Sequence, residues 1–274
     1  MDTLSLLRIV VPVLYVVTLY LYLLDFRGTL KEKSPVPTIF LVLSVIFHIF
    51  FWASIYYITG IFPIGNLYGT LTTFVLLFAV VYMFIELGVK DRSFGIFVLT
   101  LIVLLQSIAS FFISTGGFHS PLLEEVIFEI HVISLIISYS AFSLGVIAAI
   151  MHILLSKKIK NQDLNIVYYR LPTLQFLQQV ILIATYFGFG FLTAGLALGF
   201  YNTSQVTRTV ISLIDPKIIS AVITWLVYGY LVSLHLLKRL TDKKTVYLSI
   251  IGFGTILFTF FAVSAFMDTF HLFE

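Results

Sequence analysis

Eight long apolar stretches make up most of this chain and constrain its fold more than any other feature. A helix needs roughly 20 consecutive apolar residues to cross the hydrocarbon core of a bilayer. Of the 274 residues, 60% are hydrophobic and 11% are charged, and the mean hydropathy of +1.08 is far above that of soluble domains. The apolar runs are continuous, whereas strands of a membrane barrel alternate. The stretches are residues 4–24, 37–59, 66–87, 94–114, 127–155, 178–201, 217–237 and 246–268. The sequence therefore predicts an all-α integral membrane protein, a polytopic bundle of about eight transmembrane helices in a single domain over residues 1–274.

Basic residues gather in every second connection, and this alternation predicts an orientation. They follow the first, third, fifth and seventh stretches: Arg27, Lys31, Lys33, Lys90, Arg92, Lys157, Lys158, Lys160, Arg170, Lys238, Arg239, Lys243 and Lys244. The other connections hold only Arg208, with Lys217 at an edge. Because positive connections stay in the cytoplasm, both termini should lie outside. We expect a multi-pass protein of the cytoplasmic (inner) membrane of a bacterium. The basic residues are needed to orient the helices in the membrane, so they do not indicate nucleic acid as a partner.

Histidines inside or at the ends of apolar stretches are the best indication of function. The chain has no cysteine, which excludes thiolate ligands and leaves histidine as the obvious soft ligand. A polar side chain at membrane depth usually faces a cavity, a ligand or a partner. Four of the six histidines are placed in this way: His48, His131, His235 and His271. For any single position, a hydrogen bond to a neighbouring helix is the commoner explanation, and solvation is a plausible one for His131 and His271.

The predicted topology sorts these histidines into two pairs. His131 lies near the outer start of the fifth stretch, and His271 lies just past the outer end of the eighth. His48 is near the middle of the second stretch and His235 is in the inner half of the seventh. With about 1.5 Å of rise per residue, the second pair lies roughly 15–20 Å nearer the cytoplasm. Each pair offers bis-imidazole axial ligation to a haem.

Other polar and small residues have simpler interpretations. Glu86 and Glu129 are expected to be end-of-helix carboxylates in headgroup water, although Glu129 is close enough to His131 to tune it. Four glycines on one face of the sixth stretch predict close helix packing: Gly188, Gly190, Gly195 and Gly199. No paired carboxylates, nucleophile with base or phosphate-binding glycine loop can be recognised. Hydrolytic and phosphoryl-transfer chemistry have no support.

Several short motifs follow one another along the chain in a recognisable order and spacing. One runs from His131 through Ser138-Tyr139 to Phe142. Later ones are Phe191-Leu-Thr-Ala-Gly195, Asp215-Pro-Lys217, Ile223-Thr-Trp225-Leu-Val-Tyr228, His235 and Gly252-Phe253. The N-terminal part adds His48 and then Phe62-Pro63 and Asn66-Leu-Tyr68. In order and spacing, these motifs resemble those of the cytochrome c assembly proteins, the CcsA/ResC/CcmC-type haem handlers, over nearly the whole chain.

This resemblance implies roles for all four histidines. His131 and His271 would be the outer haem ligands, and His48 and His235 the inner ones, with haem b held between two histidines. The protein would deliver or export haem to the outer face of the membrane during cytochrome c assembly and would not be an enzyme. The expected partners are haem, the lipid bilayer, apocytochrome c and a second membrane subunit with a periplasmic domain.

The chain departs from the family at its tryptophan-rich signature, of the form WGxYWxWDPK. Residues 208–217 read Arg-Thr-Val-Ile-Ser-Leu-Ile-Asp-Pro-Lys, so only the last three positions match. Without the aromatic platform, direct synthase activity is not expected, and the chain is closest to the HemX-like branch. The alternative function is accordingly a HemX-like regulatory membrane protein that influences tetrapyrrole synthesis without transporting haem.

Overall fold

Eight helices form the part of the chain that the computed structural model describes, which is residues 3–31, 34–89, 91–113, 125–162, 171–205 and 216–258. In chain order, these are α1 (Thr3–Phe26), α2 (Val36–Thr59), α3 (Leu67–Val89), α4 (Gly95–Phe112), α5 (Val126–Lys160), α6 (Leu174–Gln205), α7 (Pro216–Leu236) and α8 (Asp242–Phe258). Within those ranges there is no β-strand. The predicted all-α class is confirmed.

Seven of the described helices are long and apolar enough to cross a membrane. Helices suit this environment because each backbone N–H and C=O is satisfied within the segment, where lipid offers no partner. The last helix, α8, has 17 described residues. The stretch predicted for it continues to residue 268, beyond the described part. A polytopic helical membrane protein is therefore confirmed, and the eighth span and the outside location of the termini stay predictions.

The helices fall into two compact units, α1–α4 and α5–α8. In the first unit, α1 packs against α2 and α4, and α3 packs against α2 and α4. In the second unit, α5 has its most extensive contact with α6, and α8 packs against α5, α6 and α7. The prediction of a single domain over the whole chain stays a prediction.

The C-terminal ends of α2 and α4 show how backbone carbonyls at a helix end find hydrogen-bond donors. Gly60 ends α2 in the left-handed conformation with φ of 74°, and its N–H donates to Tyr56 O over 2.8 Å. At the end of α4, the Arg8 guanidinium donates to the carbonyls of Ser110 and Phe111. These bonds satisfy carbonyls that have no partner within their own helix, and the second ties α1 to α4.

The glycine face of α6 packs against α5, as predicted, at three of its four positions. A Cβ on Gly188 would lie 2.5 Å from Phe142, and one on Gly195 would lie 2.7 Å from Leu135. Only glycine permits such approach, and close backbone contact is a main source of attraction between helices in lipid. Gly190 is the exception, since a Cβ there would have no neighbour within 4 Å.

Candidate functional site

His48 is fully buried in the middle of α2, and hydroxyl groups occupy both of its ring nitrogens. Nδ1 lies 3.1 Å from Tyr15 Oη on α1, and Nε2 lies 2.9 Å from Thr72 Oγ1 on α3. Thr72 donates its one hydroxyl hydrogen to Gln106 Oε1 on α4 over 3.1 Å, so its oxygen accepts from His48 Nε2–H and Nδ1 accepts from Tyr15. Gln106 in turn donates to Ser110 Oγ over 3.0 Å. One chain of hydrogen bonds thus joins all four helices of the unit.

This network has a direct consequence for His48 as a ligand. Iron takes an imidazole nitrogen through its lone pair, and neither nitrogen of His48 has a free one in this arrangement. Ligation therefore requires Tyr15 or Thr72 to move away first. The sequence allowed two roles for His48, a hydrogen bond to a neighbouring helix or ligation of haem. In this structure His48 has the first role, and its haem ligation stays a prediction.

His131 is held in the opposite way, with one nitrogen fixed and the other without a hydrogen bond from the described part of the chain. Its Nδ1 lies 2.6 Å from the carbonyl oxygen of Gly195 on α6. Because a carbonyl only accepts, Nδ1 carries the hydrogen and Nε2 keeps its lone pair. None of the described residues hydrogen-bonds to Nε2. The ring lies against α6 because Gly199 has no side chain, and a Cβ there would be 2.6 Å from His131 Cε1.

His235 lies in the last turn of α7, where its ring is exposed. Its Nδ1 is 2.7 Å from Tyr186 Oη on α6, and the two rings meet edge to face with centroids 5.6 Å apart. Within the described part of the chain, no residue hydrogen-bonds to its Nε2. His235 therefore also has one nitrogen oriented by a neighbour and one that no described residue hydrogen-bonds.

The predicted pairs of histidines are not assembled by the described residues. His271 and Arg208 lie outside the described ranges, as do residues 209–215 of the altered signature. His48 belongs to the first unit and His235 to the second, so their predicted pairing stays a prediction. Among the described residues there is no group of three or more His, Asp or Glu side chains that would form a metal site of the usual kind. A haem needs only one or two protein ligands.

The motif residues that are scattered along the second half of the sequence meet in one aromatic cluster. Phe142 of α5 stacks on Tyr228 of α7, with ring centroids 3.5 Å apart and planes at 7°. Trp225 donates from Nε1 to Thr193 Oγ1 over 3.0 Å. The cluster consists of Phe142, Leu192, Tyr228 and Ile256, with Leu135, Tyr139, Phe189, Leu196, Trp225 and Phe253 packed against it. These motif residues therefore build the core that fixes α5 against α6, α7 and α8, and they support His131 one helical turn from Leu135.

Glu86 is a polar site that the sequence interpretation placed wrongly. It is 3% exposed rather than in headgroup water. Tyr22 and Tyr82 each donate to its Oε2 over 2.5 Å, and Thr38 donates to Oε1 over 2.7 Å. Three hydroxyls from α1, α2 and α3 thus replace the water that the carboxylate would have at the membrane surface. Glu129 is also buried, at 9% exposure, and the expectation of headgroup water is wrong there too.

Comparisons with known proteins show which sequences this chain is similar to. The chain matches the family described as Cytochrome C assembly protein over residues 64–271. It is similar to proteins described as cytochrome c biogenesis protein CcsA. The one from Trieres chinensis is 25% identical over 92% of this chain and 90% of the relative. The one from Heterosigma akashiwo is 29% identical over 75% and 74%, and the one from Chlorella vulgaris is 26% identical over 71% and 72%. The family match spans His131, His235 and His271, whereas His48 precedes it.

Proposed function

This multi-pass membrane protein belongs to the cytochrome c assembly family, and we propose that its part in cytochrome c biogenesis is to bind haem at the membrane and hand it on. Haem is then the cargo of the protein, and the protein acts as an assembly factor without a catalytic step of its own. The proposal includes haem b with histidine pairs as axial ligands, His131 with His271 at the outer tier and His48 with His235 at the inner one.

The observation that carries the proposal is the state of His131. A ligating histidine in metalloproteins nearly always donates its second N–H to a carbonyl or carboxylate, which fixes the ring and raises the basicity of the ligating nitrogen. His131 has this arrangement, with Nδ1–H on Gly195 O and no described residue hydrogen-bonded to Nε2. Iron in haem takes such a nitrogen as an axial ligand. The residues at this site therefore fit the cargo.

Transfer of haem requires partners, and these are part of the proposal. They are an apocytochrome c and a second membrane subunit with a periplasmic domain. The membrane proposed is the cytoplasmic membrane of a bacterium, with His131 at the outer end of its helix. The charge asymmetry of the connections supports that orientation.

Absorption spectra of the protein purified in mild detergent test the proposal. The wild type should show the spectrum of low-spin, bis-histidine haem. His131→Ala should weaken haem binding at the outer tier by at least about 10-fold, the smaller end of the effect seen when even a supporting residue is removed, and leave haem at the inner tier. The matched control is His152→Ala, a half-buried histidine on the same helix that should keep its haem. Free imidazole should restore the spectrum of His131→Gly, which a purely structural role for His131 does not predict. A colourless wild type that takes up no haem on reconstitution overturns the proposal.

A second function, regulation of tetrapyrrole synthesis as in HemX-like proteins, is favoured by one sequence observation. Residues 208–217 contain no tryptophan, so the aromatic surface for presenting haem is missing at that position. In that case deletion of the gene changes the level of a tetrapyrrole-synthesis enzyme, while haem attachment to c-type cytochromes continues. Loss of covalently attached haem in the deletion strain, with unchanged enzyme level, contradicts this alternative.

A further inference from the structure

The first two turns of α6 and the start of α8 border a polar cavity in the second unit. It has a volume of about 420 Å³ and is lined by Leu174, Gln175, Gln178 and Gln179 of α6 and by Asp242, the first residue of α8. Four of these five side chains are polar, although the two helices are mostly apolar elsewhere. The histidines proposed above as haem ligands are not among the lining residues.

One buried polar atom in the wall of this cavity has no partner in the described part of the chain. Gln178 Oε1 is buried, and no described residue donates a hydrogen bond to it. An unsatisfied buried acceptor is costly, and nearly all such groups in proteins are hydrogen-bonded to a protein group, to water or to a ligand. Gln178 therefore indicates an occupant that donates hydrogen bonds.

A carboxylate supplies a second acceptor in the same wall. Asp242 is exposed, and none of the described lysine, arginine and histidine side chains forms an ion pair with it. His152 of α5 is near enough to interact with its charge, but not as an ion pair. Asp242 and Gln178 thus present two acceptors to one cavity. A primary ammonium suits them, because it is cationic and has three N–H donors.

Hydrogen-bond donors lie on the α6 side of the cavity. Gln175 and Gln179 each have an amide NH₂ group. The first turn of a helix also has backbone N–H groups without a carbonyl partner and a positive partial charge, which together favour phosphate. Leu174 and Gln175 belong to the first turn of α6. The cavity therefore combines acceptors for an ammonium with donors for a phosphate.

The place of the cavity along its helices puts it at the depth of lipid head groups. It lies at the starts of α6 and α8, directly after the two connections whose basic residues predict a cytoplasmic location. Four residues beyond Gln179, on the same face of α6, Ile183 is 50% exposed. An exposed apolar side chain next to the polar cavity suits the acyl chain of a lipid.

We propose that this cavity binds the head group of phosphatidylethanolamine from the cytoplasmic leaflet, with the ammonium on Asp242 and Gln178 Oε1 and the phosphate at the start of α6. The bound lipid then joins the starts of α6 and α8. Water would satisfy Gln178 alone, whereas this zwitterion matches both sides of the cavity. The inference goes beyond haem handling and does not depend on it, because none of these residues is a proposed haem ligand.

Competition between two lipids that differ only in N-methylation is the first test. The full-length protein in mild detergent receives equal amounts of phosphatidylethanolamine and phosphatidylcholine with identical acyl chains, and native mass spectrometry counts the bound lipids. Choline keeps the phosphate and the charge but has no N–H donor. Phosphatidylethanolamine should bind at least about 10-fold more tightly, as expected when hydrogen bonds to a charged group are kept. Equal binding of the two lipids overturns the proposal.

Two substitutions assign the preference to this cavity. Gln178→Leu removes the buried acceptor at similar size, and Asp242→Asn removes the charge at the same size, so each should shift the competition toward equal binding. The matched control is Glu125→Gln, an exposed carboxylate at the other end of α5, which should keep the wild-type preference. In phosphatidylcholine alone, all three variants should unfold close to the wild-type temperature. An unchanged preference in Gln178→Leu and Asp242→Asn overturns the site.

Free O-phosphoethanolamine separates the lipid from a soluble ligand with the same polar groups. At a concentration equal to that of the lipid, it should leave phosphatidylethanolamine bound, because it has no acyl chains. Displacement at that concentration overturns the membrane as the source of the ligand. Neither experiment measures haem, so a negative result here leaves the proposed function standing, and a protein that binds no haem leaves this inference unaffected.

Discussion

At the scale of single residues, the first unit keeps the Glu86 carboxylate buried in the protein. An ionised group in an apolar interior is costly unless hydrogen bonds replace its hydration. Three hydroxyl donors on Glu86 do so, and the Tyr22 ring reaches it because Gly95 has no side chain. A Cβ on Gly95 would lie 2.4 Å from Tyr22 Cε1. The hydrogen bond from Tyr22 to Glu86 therefore depends on glycine at position 95.

Removing one of these donors should destabilise the protein measurably. Tyr22→Phe keeps the ring but leaves Oε2 of Glu86 with one donor fewer, and a hydrogen bond to a charged group contributes about 1.5–3 kcal/mol. We expect a clear drop in the thermal unfolding temperature in detergent. Tyr57→Phe is the control, because Tyr57 is 90% exposed. Equal unfolding temperatures for the two variants would show that the Tyr22 hydroxyl contributes nothing.

The network around His48 makes a second prediction at this scale. Thr72→Val has nearly the same shape but leaves His48 Nε2–H and Gln106 Oε1 without their partner, at about 1–3 kcal/mol for each buried group. We expect a loss of stability in chemical unfolding. The control, Thr100→Val, removes an exposed hydroxyl that donates to Ile96 O in its own helix. A Thr72→Val protein as stable as this control contradicts the network.

At the scale of helices, hydropathy predicted the elements well and their polar ends poorly. The predicted second stretch, 37–59, agrees with α2 to within one residue. Yet α5 continues to Lys160 although its predicted stretch ended at residue 155, and α6 begins four residues before the predicted position 178. Hydropathy reports where a helix leaves lipid, whereas backbone hydrogen bonds continue into the polar region beyond it. Both long helices therefore extend past their apolar segments.

The environment of the candidate site was less predictable than the helices. The sequence identified His131 and His235 because imidazole is unusual in apolar runs. It did not identify Tyr15 and Thr72 as the partners of His48, or Tyr186 as the partner of His235, since tyrosine and threonine are ordinary in membrane helices. Which face of one helix meets which face of another depends on rotation about the axis, and an apolar stretch with lipid around it has little amphipathic pattern to reveal that rotation.

In the second unit, four residues from four different helices form a stack. Gly188 of α6 contacts Phe142 of α5, which stacks on Tyr228 of α7, which contacts Gly252 of α8. A methyl group added at either end has no room, because the two rings are already 3.5 Å apart. The stack thus couples the spacing of all four helices.

Alanine at either end of the stack should therefore destabilise the unit. Gly188→Ala and Gly252→Ala place Cβ 2.5 Å from Phe142 and 2.7 Å from Tyr228, and overpacking of this kind typically costs about 1–3 kcal/mol. Each helix provides its own control two residues away, Gly190→Ala and Gly254→Ala, where alanine should be neutral or slightly stabilising. Unfolding temperatures in detergent distinguish them. If all four variants behave alike, the stack does not set the helix spacing.

At the scale of the whole molecule, the orientation in the membrane decides whether a histidine near a helix end faces the outside or the cytoplasm. The absence of cysteine from the natural sequence makes this testable with single introduced cysteines. Leu67 is the first residue of α3, and Asn161 directly follows α5. Both are exposed, and the predicted topology places them on opposite sides of the membrane. A membrane-impermeant maleimide added to intact cells should label Leu67→Cys and leave Asn161→Cys unmodified until the membrane is opened. The physical reason is the cluster of lysines beside Asn161, which is held on the cytoplasmic side. The cysteine-free protein sets the background, and Thr241→Cys, also exposed, gives a second inner position. The reverse pattern would put His131 at the cytoplasmic end of its helix and would exclude it from handing haem to the outer face.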